Sequence, residues 1–282
     1  WLVPEFLFCQ KSNFKYFKYD HVNSRRQVGS TFKPFVYATA IAKMGISPCN
    51  EFQDVQYTIP AGDPNFGLPE AWSPANAGES FTGKMFNLYN ALAYSKNSIT
   101  VKLVILLGTV EPIRELLNSM GIDSLARRKD GGLVIPRFPS IVLGSADLSV
   151  MDMTGAYTTF SNNGEYVKPY YISRIEDKNG KVIYRNTPVK NVALPANYNY
   201  VMVDLLRKSG QVYGLKTPVG GKSGTTNDYV DGWFMGITPN LVVGTWVGGE
   251  DTWIRFLSLT NGQGSVMAKS LFTNFILKLE AI

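Results

Sequence analysis

The chain has 282 residues, 45% of them hydrophobic, which is enough for one large domain or two small ones. Its 28 basic and 22 acidic residues give a net charge of +6, but the only compact basic runs, Arg25-Arg26 and Arg127-Arg128-Lys129, lack interleaved aromatics; that argues against nucleic-acid binding and makes both runs solvated surface. A single histidine, His21, and two cysteines, Cys9 and Cys49, match no zinc spacing and build no disulfide framework, so no metal site is implied, and no motif calls for an organic cofactor.

Trp1–Phe8 contains Pro4 and Glu5 and lacks a basic leader, so it is no signal peptide, and the chain reads as a fragment excised from a longer protein. No apolar run approaches the ~18 residues that span a bilayer. Phe14–Tyr19 alternates aromatics with lysines, the pattern of a half-exposed strand. Pro34 has no backbone N–H and is tolerated only in the first turn of a helix, which predicts a helix from Ser30 to about Lys43. Residues 49–77, rich in Pro, Gly and Asn, form a long irregular connection of a kind that often carries function. Helices follow over Lys84–Ala93, Ile99–Leu107, Glu111–Met120 and Asp147–Asn162, the last ending at Asn163-Gly164. Tyr170–Ile175 and Val182–Tyr184 flank Lys178-Asn179-Gly180 as a hairpin with a type I′ turn. After a helix over Asn199–Lys208 come three short strands, Lys222–Thr226, Trp233–Ile237 and Leu241–Gly248, and an amphipathic helix, Ser265–Leu279, closes the chain. Strands near 1–24 and 215–250 around a helical lobe of about 30–165 predict an α+β fold in one domain, 1–282, with a sheet flanked by helices and an inserted helical subdomain.

Three short motifs carry the candidate chemistry. Ser30 and Lys33 lie three residues apart on one helical face. Either Ser30 or Thr31 is an N-cap and Lys33 a solvated charge, or Ser30 is a nucleophile whose base is Lys33, its pKa lowered by burial and the positive helix end. Ser95-Lys96-Asn97 falls on a loop between two predicted helices, where it either aims polar groups into a cleft or caps the next helix. Lys222-Ser223-Gly224-Thr225 falls on a predicted strand, where Gly224 permits close approach and Lys222 is either a site cation or edge protection. With His21 the sole histidine, a lysine is the expected base for a serine nucleophile, and two clustered lysines lower the pKa of at least one.

In this order, Ser-x-x-Lys, Ser-x-Asn and Lys-Ser-Gly resemble the signature of penicillin-binding proteins and class A β-lactamases. The surrounding blocks resemble the transpeptidase domain of bifunctional (class A) penicillin-binding proteins. They are Arg26–Phe35, Trp72-Ser73-Pro74-Ala75-Asn76 with Ala91–Asn97, Leu143–Ala146 through Ala156-Tyr157 and Asn163-Gly164, and Gly221–Asn227 running into Asp231–Phe234 and Trp246–Gly248. Together they cover roughly Tyr16 to the end. Val28 stands where that family usually has proline and Ser223 where it has threonine, and the first fifteen residues do not read as its Gly-rich strand.

The resemblance implies a penicillin-binding-protein/β-lactamase-like fold with an antiparallel sheet. It implies a peptidoglycan D,D-transpeptidase that cross-links stem peptides ending in D-Ala-D-Ala through an acyl-serine, and that β-lactams inhibit covalently. Ser30 is then the nucleophile, Lys33 its base, Ser95 a proton shuttle held near Lys222, and Asn97 the group that orients the peptide amide. Backbone N–H groups of Ser30 and Thr225 form the oxyanion hole, and Lys222, Ser223, Gly224 and Thr225 bind the substrate or β-lactam carboxylate, without metal or cofactor. A glycosyltransferase domain and membrane anchor are implied upstream in the parent protein, placing this domain in the bacterial cell envelope on the periplasmic side of the cytoplasmic membrane. The same motifs also serve D,D-carboxypeptidases, serine β-lactamases and non-catalytic β-lactam sensors. Glu111-Pro112 and Leu117-Asn118 are spaced too widely for the deacylating segment of a β-lactamase and read as an ordinary helix start.

Overall fold

The residues that follow Pro34 are apolar on every side, and the fold is arranged to bury them. The structure, a computed structural model, describes residues 20–78 and 80–282; Cys9 and the strand expected at Phe14–Tyr19 lie outside the described residues. Of the expected strand region 1–24, the described part is a turn in which Asp20 accepts the Val22 N–H on its carboxylate and the Ser24 N–H on its carbonyl.

Strand β1 (Arg26–Gln27) leads into a 3-10 turn over Gly29–Phe32 that continues as α1 (Lys33–Met44). Pro34 occupies the first turn, where no intrahelical donor is missed, and Gly45 ends the helix at φ 63°. Lys33 through Ile41 are buried without a break, so α1 is a core helix rather than an amphipathic one.

The long connection is pinned by β2 (Glu51–Gln53), which pairs antiparallel with β3 (Met85–Asn87). A helix from Lys84 is therefore not formed. Asn87 instead caps α2 (Leu88–Ala93) by accepting the Asn90 N–H at 3.0 Å. Helices α3 (Asn97–Leu107) and α4 (Glu111–Ser119) pack on α1. Strand β4 (Asp147–Leu148) pairs with β1, which removes Asp147 from the expected helix; α5 (Val150–Ser161) starts at a capping box between Ser149 and Asp152.

Strand β5 (Glu165–Val167) pairs with β8 (Lys190–Val192), and between them β6 (Arg174–Glu176) and β7 (Val182–Arg185) form an exposed ribbon. Its turn is not type I′. Gly180 takes φ 81° but Asn179 does not join it, because the Asp177 carboxylate accepts the N–H groups of Asn179 and Lys181 at 2.8 and 2.9 Å.

Helix α6 (Ala196–Ser209) packs on α1, α2 and the first strand of the main sheet. That sheet is antiparallel, with β10 (Asp231–Ile237) between β9 (Gly220–Thr225) and β11 (Val242–Gly248). Every residue of β10 is buried, as a strand covered on both faces requires. Trp233, Met235 and Ile237 face the large core with α5, while Phe234 packs on Phe272, ring centroids 5.0 Å apart, in the closing helix. A single turn, α7 (Leu259–Gly262), precedes that helix, α8 (Met267–Glu280). The result is the expected antiparallel sheet between helices. Among the described residues no helix is long and apolar enough to cross a membrane.

Candidate active site

Ser30 sits part-buried in the 3-10 turn, and its carbonyl accepts the Lys33 N–H that opens α1. Neither hydroxyl caps the helix: the Thr31 hydroxyl donates back to the Val28 carbonyl at 2.7 Å, and no side-chain cap bond forms. Nor is Lys33 a solvated charge, since it is 0% exposed. Its Nζ donates to the Ser95 carbonyl at 2.5 Å and to Asn97 Oδ1 at 2.6 Å, with Ser95 Oγ at 3.2 Å. Burial, and secondarily the charge of Lys222, holds its pKa well below the ordinary lysine range.

Ser95 lies on the turn between α2 and α3 at φ 55°. A non-glycine residue there costs about 1–2 kcal/mol, so the surroundings must hold it in place. Asn97 opens α3, and its Nδ2 donates to the Ala75 carbonyl at 2.7 Å, which turns Oδ1 toward Lys33. Behind the turn is Asp54, which sequence reasoning missed; the only signal was an acidic residue within the long connection. It is 0% exposed and accepts hydrogen bonds from Lys96 Nζ, Ser98 Oγ, Asn76 Nδ2 and the Thr82 N–H and hydroxyl. Burial pushes its carboxyl up, but the hydrogen bonds from Lys96, Ser98, Asn76 and Thr82 outweigh that and hold it far below the usual carboxylate range.

The opposite wall is β9. Lys222 is 2% exposed, which is not the placement of an edge-protecting charge, and burial brings its pKa down to about 7. Its Nζ donates to the Ser223 carbonyl at 3.0 Å, and its charge reaches Lys33. The Ser95 hydroxyl, expected near Lys222, lies 3.2 Å from Lys33 Nζ, the amine that the Lys222 charge acts on. Ser223 and Thr225 are part-buried, and the Thr225 hydroxyl accepts the Gly264 N–H at 3.0 Å. A methyl group on Gly224 would lie 2.7 Å from the Val28 carbonyl and 3.1 Å from the Thr31 nitrogen, and one on Gly29 would lie 3.0 Å from the Thr225 carbonyl. The Ser30 turn and the Lys222–Thr225 strand therefore touch, backbone to backbone.

One basic run was misread. Arg127–Lys129 is exposed as expected, but Arg26 is 9% exposed and its Nε donates to Asp231 at 2.8 Å. Trp246 Nε1 donates to the same carboxylate oxygen at 2.9 Å, and Trp233 Nε1 donates to the Gln27 carbonyl at 2.9 Å. These bonds tie β1, just before Ser30, to the middle of the main sheet. Glu111 lies at the start of α4, paired with Arg114 at 2.6 Å and Arg137 at 3.3 Å, and takes no part in the cluster.

An antiparallel sheet between helices, with the Ser30 turn wedged against its edge strand, is the architecture of penicillin-binding proteins. The profile of the penicillin binding protein transpeptidase domain matches residues 8–252, and the chain belongs to that family. It is 34% identical over 233 residues to penicillin-binding protein 1A of Aquifex aeolicus (strain VF5), covering 80% of this chain and 30% of that protein. To penicillin-binding protein 1A of Rickettsia conorii it is 31% identical over 266 residues, covering 84% of this chain and 32% of the relative. The chain thus spans about a third of the length of these relatives. Among solved structures it resembles PonA1 of Mycobacterium tuberculosis in complex with penicillin V, at a TM-score of 0.73 and 22% identity over 90% of this chain and 69% of that one. Penicillin-binding protein 1A of Haemophilus influenzae gives 0.71 and 24% over 90% of this chain and 42% of that one. Penicillin-binding protein A of M. tuberculosis, solved as a penicillin G acyl-enzyme complex, gives 0.72 and 18% over 93% and 62%. These structures speak for the fold.

Proposed function

We propose that the chain is the D,D-transpeptidase domain of a class A penicillin-binding protein, acting through an acyl-serine on Ser30. The observation that carries this reading is the buried Lys33 amine bonded to Ser95 and Asn97 beside Lys222. A lysine that loses its proton keeps two N–H donors and gains a lone pair. Here the two short bonds, to the Ser95 carbonyl and Asn97 Oδ1, use both donors, so the lone pair is free to take a hydroxyl proton, in this reading that of Ser30.

Ser30 Oγ attacks the carbonyl of the penultimate D-alanine as its proton passes to Lys33 Nζ. Backbone N–H groups of Ser30 and Thr225 receive the oxyanion. The C–N bond to the terminal D-alanine then breaks, and the proton returns through Ser95 Oγ to the leaving amine. An acceptor amine from a second stem peptide attacks the acyl-serine, the C–O bond to Ser30 breaks, and the proton the amine loses passes to Ser30 Oγ, which completes the cross-link. Asn97 orients the donor peptide. Lys222, with the Ser223 and Thr225 hydroxyls beside Gly224, receives the terminal carboxylate, whose charge raises the Lys222 pKa and keeps it protonated. A β-lactam presents a carboxylate and a strained amide in the same relation, and acylates the same oxygen.

The whole of 1–282 serves as one transpeptidase domain in this reading. Upstream in the parent lie a glycosyltransferase domain and an anchor, which hold it on the periplasmic side of the cytoplasmic membrane. The test is a synthetic stem peptide ending in D-Ala-D-Ala with an acceptor amine. Equal release of D-alanine and formation of cross-linked peptide is expected. D-alanine release by hydrolysis alone would make it a carboxypeptidase, rapid turnover of penicillin a β-lactamase, and acylation by penicillin without D-alanine release a sensor.

A further inference from the structure

Asp54 lies outside every motif that carries the chemistry, yet its hydrogen bonds converge on the segment that presents Ser95 and Asn97. Its own backbone is fixed where β2 and β3 meet, with its N–H donating to the Lys84 carbonyl at 2.8 Å and its carbonyl accepting the Gly83 N–H at 3.0 Å. From there the carboxylate works along three routes. Oδ2 accepts from Lys96 Nζ at 2.8 Å, holding the residue between Ser95 and Asn97. Oδ1 accepts from the Ser98 hydroxyl at 2.6 Å, one residue past Asn97. Oδ1 also accepts from Asn76 Nδ2 at 2.7 Å, and Asn76 Oδ1 in turn accepts the N–H groups of Asn97 and Ser98 at 3.0 and 3.1 Å, capping α3 from outside the helix. The residue before Asn76, Ala75, accepts from Asn97 Nδ2.

We propose that Asp54 is the positioning residue of this site: it fixes the Ser95–Asn97 turn against Lys33 from behind, without touching substrate. The inference rests on the assignment of Ser30 and Lys33 proposed above. The Lys33 amine is oriented by two acceptors, both on this turn. Ser95 holds a left-handed conformation that a free chain would abandon. A carboxylate that clamps Lys96, Ser98 and Asn76 at once supplies the constraint.

Asp54→Asn tests it with almost no change in size. Both carboxylate oxygens accept from donors, so whichever way the amide is turned its NH2 meets donor groups. Stopped-flow acylation by a fluorescent penicillin separates the dissociation constant of the first complex from the acylation rate constant. In Asp54→Asn the rate constant is expected to fall about tenfold or more, as misplaced catalytic groups do. The dissociation constant stays within about twofold, because the carboxylate site is on β9, a different wall. Lys96→Met removes one of the clamped donors and is expected to show the same pattern, more weakly; it decides the matter if thermal melting shows that Asp54→Asn does not fold. A folded variant acylated at the wild-type rate, or one whose dissociation constant worsens in step with its rate, overturns the proposal. Wild type and Ser30→Ala run alongside. An unlabelled wild type, or a labelled Ser30→Ala, refutes the nucleophile rather than Asp54.

Discussion

Lys33 and Lys222 are two amines buried at one place, and the charge of Lys222 makes Lys33 harder to protonate. Lys33 is held well below the ordinary lysine range by burial and by Lys222, and Lys222 sits at about 7 through burial. In the proposed mechanism acylation needs the first neutral and the second charged, so the second-order acylation rate should follow a bell in pH, with apparent pKa values that belong to the pair. Its acid limb reports loss of the Lys33 proton, and its alkaline limb, at about 7 or above, reports Lys222. Replacing Lys222 by methionine removes the like charge, so the acid limb should move to higher pH and the alkaline limb should vanish. An acid limb that stays where it was in the Lys222→Met protein would show that the two amines do not interact. Ser30, Lys33, Ser95, Asn97 and Lys222 were legible in the sequence because each belongs to a short pattern whose members are close along the chain. Asp54 was not, because its partners Asn76, Thr82, Lys96 and Ser98 lie 22, 28, 42 and 44 positions away. Arg26 was taken for surface because its charge was visible and its partner Asp231, 205 positions on, was not.

At the level of elements, the site depends on β9 lying flat against the Ser30 turn. Gly224 permits it, since a side chain there would meet the Val28 carbonyl and the Thr31 nitrogen, both backbone atoms that cannot swing aside. Gly224→Ala should therefore push strand and turn apart, costing about 1–3 kcal/mol of stability, as overpacking does, and slowing acylation by about tenfold or more. Thermal melting and fluorescent-penicillin labelling measure the two effects; a variant with wild-type values for both would mean that the contact is not tight. The strands of the main sheet and the helices α3, α4 and α8 could be read within a residue or two, because burial on one or both faces fixes their periodicity. Helix α6 begins at Ala196, three residues before the expected Asn199. The errors at the starts of α2 and α5 fell where capping decides. Met85-Phe86-Asn87 is too short an apolar run to distinguish strand from helix, and the side chains of Asn87 and Ser149, as N-caps, set the true starts of α2 and α5. The ribbon turn went wrong for a related reason, because the Asp177 carboxylate outcompeted the intrinsic preference of Asn-Gly.

For the whole molecule, a site built from buried amines sets how stability varies with pH. Lys222 has a folded pKa of about 7 against 10.5 in the unfolded chain, so between those values the unfolded state binds the extra proton and stability rises with pH. Lys33 acts in the same direction. The slope should reach about 1.4 kcal/mol per pH unit for each lysine, and Lys222→Met should lose its share. Above about 10 the trend reverses, because buried Tyr37 and Tyr157, whose pKa values burial raises, ionise only in the unfolded chain. Urea denaturation between pH 7 and 10 measures this, and a flat or falling curve would mean that the lysines are hydrated rather than buried.

The claim on which the account turns is that one hydroxyl, at Ser30, is made nucleophilic by these amines. Intact-mass spectrometry after benzylpenicillin treatment tests it most directly. The wild-type chain should gain the mass of one whole penicillin, on the peptide that contains Ser30, and Ser30→Ala should gain nothing. An adduct of the same mass on Ser30→Ala, or a folded wild-type chain that stays unmodified, would contradict it.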